Sequence, residues 1–560
     1  MQKVKLLTAV LACSLAVCGA PDQQPLTSVS KPPAPTVQLD KGVFTGVQKG
    51  NTQSFMSIPY ALPPIGNRRF RLPEPYPVYE GYYSATSFKP SCPQQAMTMP
   101  GWLDNELKHA LDKVVDSMYD HFTPDSEDCL TINVVKPADA TPLSKLPVVV
   151  WIFGGGFQVG GTATYGDPSE KMVERSMQLG QPMIYVSMNY RVSALGFLAS
   201  KEVRAAGVGN LGLQDQRLAL KWVQKYVSNF GGDPSKVTIW GQSAGSISVS
   251  LHMITNNGNH ENLFRGAIMQ SGGPIPVAGV ENGQVYYDDL VKRVGCQNSR
   301  DTLQCLRGID FRLLQAAIDT SPNFFAFQGL VLAWLPRVDG VFLREPPQHL
   351  VLKGEVAKVP FMTGNCDDEG TLFAISSTNL THNNHMRDYL RQFMLPKASD
   401  AQIDLMLRHY PDFAPAGSPF DTGFRNMLGP QFKRMAAIQG DIVFHSPRRF
   451  FLKNMADKVK TWSWLSKREK SIPFIGATHA TDILNAFGTG ELRDYIIRFV
   501  NNLDPNGNRG LGIRWPQYDL SKPQSLEFQD STFFPMVIKP DDHRKDALDF
   551  MANISILHPL

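Results

Sequence analysis

The stretch Gly241-Gln242-Ser243-Ala244-Gly245 places one serine between two glycines, each two positions away. The apolar run Val237-Thr238-Ile239-Trp240 leads directly into it, and Ser246-Ile247-Ser248-Val249-Ser250-Leu251 reads as the start of a helix. A sharp turn from buried strand to helix lifts a serine hydroxyl clear of the sheet, where a substrate can reach it. The flanking glycines leave room for the strained backbone such a turn needs. The helix N-terminus beneath Ser243 supplies partial positive charge where an anion would develop. The chemistry indicated is attack by an activated hydroxyl on an acyl carbon.

A serine needs a base and a site for the oxyanion. The run Val148-Val149-Val150-Trp151-Ile152-Phe153 ends in Gly154-Gly155-Gly156-Phe157, and backbone N–H groups of glycines can approach a carbonyl oxygen closely. Gly155 and Gly156 are the expected donors, with the N–H of Ala244. No Lys-Ser/Thr pair follows, which argues against a phosphate loop. In this arrangement the acid and then the base follow the serine along the chain. The histidines after Ser243 are His252, His260, His349, His382, His385, His409, His445, His479, His543 and His558. His479 stands out, because it follows the short apolar stretch Pro473-Phe474-Ile475-Gly476-Ala477 and precedes a helix expected from Asp482-Ile483-Leu484. For the acid, Val359–Gly364 runs into Asn365-Cys366-Asp367-Asp368-Glu369-Gly370. Spacing alone leaves Asp367, Asp368 and Glu369 open.

The elements that must hold these residues are short apolar strands and helices in alternation. Val148–Phe153, Met183–Ser187 and Val237–Trp240 are near-continuous apolar runs, as in strands buried on both faces. Leu213, Leu220, Val223 and Val227 fall near helical spacing. The pattern predicts an α/β fold with a mostly parallel sheet covered by helices on both faces. Another helix-spaced stripe, from Trp102 and Leu103 through Leu107, Ala110, Leu111, Val114 and Val115 to Met118, reads either as an ordinary amphipathic surface helix or as a lid.

The 560 residues are 42% hydrophobic and 19% charged, with a formal net charge of +4. That excludes a disordered chain, and the absence of a Lys/Arg-dense run argues against nucleic acid as a partner. Lys3 and Lys5 precede an apolar run from Leu6 to Cys18, so residues 1–20 read as a secretory signal peptide. Leu15-Ala16-Val17-Cys18 also resembles a weak lipoprotein site. Residues 21–36, rich in Pro, Ser and Thr, read as a flexible leader, and 37–560 as a single domain. No later segment is apolar over the length of a membrane span. Of seven cysteines, Cys13 and Cys18 belong to the signal. Order along the chain suggests Cys92–Cys129 and Cys296–Cys305, leaving Cys366 free as a buried thiol. No cysteine or histidine spacing suggests zinc. Asn379-Leu380-Thr381 and Asn553-Ile554-Ser555 are glycosylation sequons.

The chain resembles the type-B carboxylesterase/lipase family, and most of all its fungal lipase and sterol-esterase branch. The resemblance runs from about Val43 to the C-terminus. It is carried by Ile58-Pro59-Tyr60-Ala61-Leu62-Pro63-Pro64, Glu127-Asp128-Cys129-Leu130-Thr131-Ile132-Asn133-Val134, the Gly154–Phe157 run, Phe230-Gly231-Gly232-Asp233-Pro234 before the serine turn, and Pro336-Arg337-Val338-Asp339-Gly340. It implies an α/β-hydrolase fold, Glu369 as the acid and His479 as the base, both disulfides above, and a lid in residues 93–128 tethered by Cys92–Cys129. It also implies a secreted hydrolase of lipophilic carboxylic esters, triacylglycerols or sterol esters, working with no metal or cofactor. Phe324-Phe325-Ala326-Phe327 and Leu330–Leu335 would line an acyl tunnel or be plain core. Expected partners are the ester and, through the lid, a transient lipid–water interface; the protein would be a monomer or homodimer. Two alternatives remain: an esterase of small soluble or aromatic esters, and a non-catalytic adhesion module, against which the retained Ser243, Glu369 and His479 argue. One position departs from the family pattern, since Gln242 stands where Glu is common.

Overall fold

The long apolar runs pair side by side. In the computed structural model, which describes residues 34–103, 105, 107–109, 123–507 and 513–560, the described residues form an eleven-stranded sheet and a separate three-stranded one. The small sheet joins β1 (Thr36–Leu39), β2 (Lys41–Thr45) and β5 (Glu80–Ser84). β1 thus begins at the last residue of the stretch expected to be a leader. The large sheet contains β3 (Val47–Lys49), β4 (Thr52–Pro59), β6 (Thr131–Pro137), β7 (Leu146–Ile152), β8 (Ile184–Met188), β9 (Gly232–Gln242), β10 (Gly266–Gln270), β11 (Phe361–Cys366), β12 (Thr461–Lys467), β13 (Gln524–Gln529) and β14 (Met536–Pro540). Its order is β14-β13-β12-β11-β10-β9-β7-β8-β6-β4-β3. The strands from β8 to β13 pair in parallel, and the outer pairs are antiparallel.

Successive side chains of a strand point to opposite faces. Val148, Val149, Val150, Trp151 and Ile152 are all buried, as is every residue of β8, so both faces of the sheet centre are covered. α1 (Gly166–Gln178) and α4 (Glu491–Asn502) pack against each other and against the sheet. α2 (Leu211–Tyr226) and α3 (Ala244–Ile254) form a second such pair on β9. Trp151 and Trp240 meet edge to face at 4.4 Å, with Phe487 packed on both. Residues 35–560 make one compact unit.

The parallel register matters for chemistry. Gln242, Gln270 and Gly364 pair across β9, β10 and β11, and Gly364 pairs with Trp464 of β12. The loops leaving β9, β11 and β12 therefore emerge from one edge of the sheet, at its carboxyl ends, a few strand spacings of ~4.8 Å apart.

Disulfides join Cys92 to Cys129 and Cys296 to Cys305, and Cys366 is free and buried. The first closes the segment 93–128. Most of its expected apolar stripe, including Ala110, Leu111, Val114, Val115 and Met118, lies outside the described residues, as do residues 1–33, which contain the expected signal peptide and most of the expected leader. Asn379 and Asn553 are both exposed, the latter within the helix α5 (Lys545–Leu557).

Candidate active site

Ser243 sits between the end of β9 and the first residue of α3 at φ 56°, ψ −125°, a conformation L side chains rarely adopt. The surrounding glycines permit it. A Cβ at Gly245 would collide with the Ile152 carbonyl oxygen, and one at Gly241 with the backbone of Gly245. The Ser243 N–H is spent on the Gln270 carbonyl at 2.9 Å, which ties the turn to β10. The N–H next in line toward a substrate is that of Ala244. Gly156 and Ala244 both line the cavity beside Ser243. Gly155 lies one residue behind, at φ 110°. A Cβ at Gly154 would stand 2.8 Å from that of Ser243, so this glycine loop lies directly against the serine turn.

The Ser243 hydroxyl lies 2.7 Å from His479 Nε2, and His479 Nδ1 lies 2.5 Å from Glu369 Oε2. The other oxygen, Glu369 Oε1, accepts the Cys366 N–H at 2.7 Å. Both carboxylate oxygens are thus engaged, and Glu369 and His479 are buried. Of the three consecutive acids, Glu369 alone faces His479. Asp367 and Asp368 turn to Lys470, at 2.5 and 2.7 Å. Two other histidines are fully buried: His252 is hydrogen-bonded to Gln216 of α2 at 3.0 Å, and burial holds it and His445 well below the ordinary imidazole range.

His479 does not follow directly on a strand. Residues 473–477, whose apolar character suggested one, form turns, and the strand is β12, which ends at Lys467. The loop instead docks on the acid turn through a parallel bridge between Asp368 and Thr478. Two aromatic rings hold the imidazole, Phe444 at 4.5 Å and Phe373 at 5.3 Å between centroids. Neither carried any signal in the sequence, because both come from helical segments with no motif of their own. Beneath the site, burial beside Glu369 pushes the Asp482 carboxyl up to about 6. Burial together with Asp482 and Glu369 pushes the Cys366 thiol well up, so Cys366 is a neutral thiol at ordinary pH.

Gln242 Nε2 lies 3.4 Å from His479 Nε2, and its Oε1 has no hydrogen-bond partner among the described residues. Gln242→Glu would place a carboxylate beside the imidazole and favour its protonated form. The acidic limb of kcat/KM is expected to move upward by about 1 pH unit, measured with a soluble ester. An unmoved limb would rule out this electrostatic contact.

An apolar cavity of about 40 Å³ opens beside Ser243. Phe324, Leu330, Leu332 and Leu335 line it, with Phe444 and Leu560. Trp334, between them in sequence, is buried away from it. Within the two stretches Phe324, Leu330, Leu332 and Leu335 thus fit the tunnel reading and Phe325, Ala333 and Trp334 the core reading, whereas Phe327 is exposed. The arrangement can deprotonate a hydroxyl, stabilise an oxyanion and hold an extended apolar group.

Residues 33–546 match the sequence profile of the carboxylesterase family. The chain is 44% identical over 507 residues to lipase 4 of Diutina rugosa, covering 88% of this chain and 91% of that one. It is 38% identical to secreted lipase 1 of Botryotinia fuckeliana (90% and 91% covered) and 38% identical to a secreted triacylglycerol lipase of Gibberella zeae (92% and 90%). Among solved structures, that of EstA from Aspergillus niger superposes with a TM-score of 0.79 at 28% identity, covering 94% of this chain and 99% of the other.

Proposed function

The chain belongs to the carboxylesterase family, and on that footing we propose that it is a secreted serine hydrolase of lipophilic carboxylic esters, of the triacylglycerol lipase or sterol esterase kind. The observation that carries the reading is the predominantly apolar cavity opening beside Ser243, next to a hydrogen-bonded Ser243, His479 and Glu369. Relatives named as secreted lipases support both the substrate class and the extracellular location.

In this reading His479 Nε2 takes the proton as Ser243 Oγ attacks the ester carbonyl. Glu369 holds Nδ1–H and balances the charge on the ring. The N–H groups of Gly155, Gly156 and Ala244 receive the oxyanion. The alcohol leaves with the proton from His479, and water, deprotonated by the same nitrogen, releases the acid from Ser243. The acyl chain lies between Phe324 and Leu332.

The segment 93–128 acts as a lid that opens at a lipid–water interface. Support comes from its entrance. Gln95 N–H donates to the Gln158 carbonyl at 2.9 Å, Ala96 N–H to Asp319 Oδ1 at 2.9 Å, and Gly160 N–H to Gln94 Oε1 at 2.7 Å. The tethered segment thus begins beside the glycine loop and near Phe324.

A series of p-nitrophenyl esters tests the substrate class. Each methylene buried in the cavity contributes about 0.8 kcal/mol, so kcat/KM is expected to rise up to about 4-fold per methylene from acetate through octanoate, with hydrolysis of triolein or cholesteryl oleate. Activity confined to the shortest chains would replace this reading with an esterase of small soluble esters.

A further inference from the structure

The residue before Glu369 makes more hydrogen bonds than either of its neighbours. Asp368 is fully buried, and its carboxylate takes four donors. Oδ1 accepts the Phe420 N–H at 2.8 Å and the Ser418 hydroxyl at 3.1 Å. Oδ2 accepts the Ala477 N–H at 3.0 Å and Lys470 Nζ at 2.7 Å. The Asp368 N–H in turn donates to the Ala477 carbonyl at 3.0 Å. Thr371 extends the same seam, its hydroxyl donating within reach of Thr478 Oγ1 at 2.8 Å. One side chain therefore joins three segments far apart in sequence: the acid turn, the loop at 418–420, and the loop that carries His479. Asp368 is adjacent to Glu369, and Ala477 is two residues from His479.

We propose that Asp368 is a positioning residue for proton transfer, a latch that sets the spacing between Glu369 and His479 by clamping their two loops together. The inference rests on Ser243, His479 and Glu369 acting as described above. Asp368 does not line the cavity, so the latch acts on the chemical step and leaves acyl-chain binding alone.

Asp368→Asn keeps the shape and breaks the latch. The two backbone N–H groups, of Phe420 and Ala477, sit on opposite oxygens, and an amide has a single acceptor oxygen. Whichever way it turns, one buried N–H faces an NH₂ group and loses its partner. A displacement of reacting groups by about 1 Å costs about 10²-fold in rate. The expected result with a soluble ester, per serine titrated to completion with a phosphonate, is therefore a kcat lower by about 10²-fold with KM unchanged. The rate of phosphonylation should fall in parallel. Lys470→Met, which removes the partly exposed cation but leaves both N–H groups accepted, tests the same latch if the first variant fails to fold. It is expected to lower kcat several-fold, again with KM unchanged. A purely structural role would lower Tm and leave kcat per titrated site intact. That outcome in both variants, or a loss carried by KM, overturns the proposal. Activity surviving in Ser243→Ala would instead overturn the catalytic reading beneath it.

Discussion

Ser243→Ala is expected to remove ester hydrolysis almost completely, by on the order of 10⁶-fold in kcat, while the protein stays folded. Alanine keeps the Cβ that the turn already accommodates at φ 56°, and the N–H bond to Gln270 that anchors the turn is untouched. The lost group is one hydroxyl and its hydrogen bond to His479 Nε2, a loss of about 1 kcal/mol of stability. Tm should therefore change little, and the apolar cavity should still bind long-chain esters. Two measurements check this, kcat with p-nitrophenyl octanoate and covalent labelling by an organophosphonate. Substantial labelling of the variant, or activity within tenfold of the parent, would move the nucleophile elsewhere.

Glu369→Gln is expected to lower kcat/KM by about 10⁴-fold, for a reason the structure makes specific. The Cys366 N–H donates to Oε1 of this side chain, while Oε2 faces His479 Nδ1. In the amide, the Cys366 N–H selects the oxygen for itself and so turns the NH₂ toward the imidazole. Nδ1 must then accept, which puts the ring proton on Nε2. That nitrogen can no longer take the proton of Ser243. The variant should bind ester normally and fail in acylation, seen as a slow single-turnover burst with near-normal KM. A loss smaller than tenfold would mean that Glu369 contributes little beyond packing. Comparison with Asp368→Asn separates two effects: a wrong tautomer in one case, a loosened pair of loops in the other.

The serine turn was the most legible part of the site, because its constraint is local. A strand, a residue at positive φ and a helix must follow within a few positions, and Gly241 and Gly245 advertise the crowding that the fold then imposes. The parallel strands were legible for a related reason, since runs such as Val148–Ile152 have no polar face to show to water. The acid was not legible from spacing. Asp367, Asp368 and Glu369 differ in what they meet across about a hundred residues of chain, Lys470 for the first two and His479 for the third. Such pairings leave no periodic trace, and the family resemblance alone singled out Glu369. The stretch 473–477 misled because its apolar residues serve to pack a loop onto the acid turn. Phe373 and Phe444 were invisible, as contacts made by helical side chains to a distant ring depend on tertiary packing alone. The same holds for Leu330, Leu332 and Leu335, whose separation from buried Ala333 and Trp334 gains meaning only beside Ser243.

The loops leaving β9, β11 and β12 all emerge at one edge of the sheet, which makes the molecule two-ended. At the opposite edge, the turn between β6 and β7 spans residues 138–145, where Leu143, Ser144 and Lys145 are exposed. A resin, label or fusion partner attached through that turn would hold the protein with its cavity facing away from the support. Immobilisation could then be directed by geometry, with the chemistry kept at the free end.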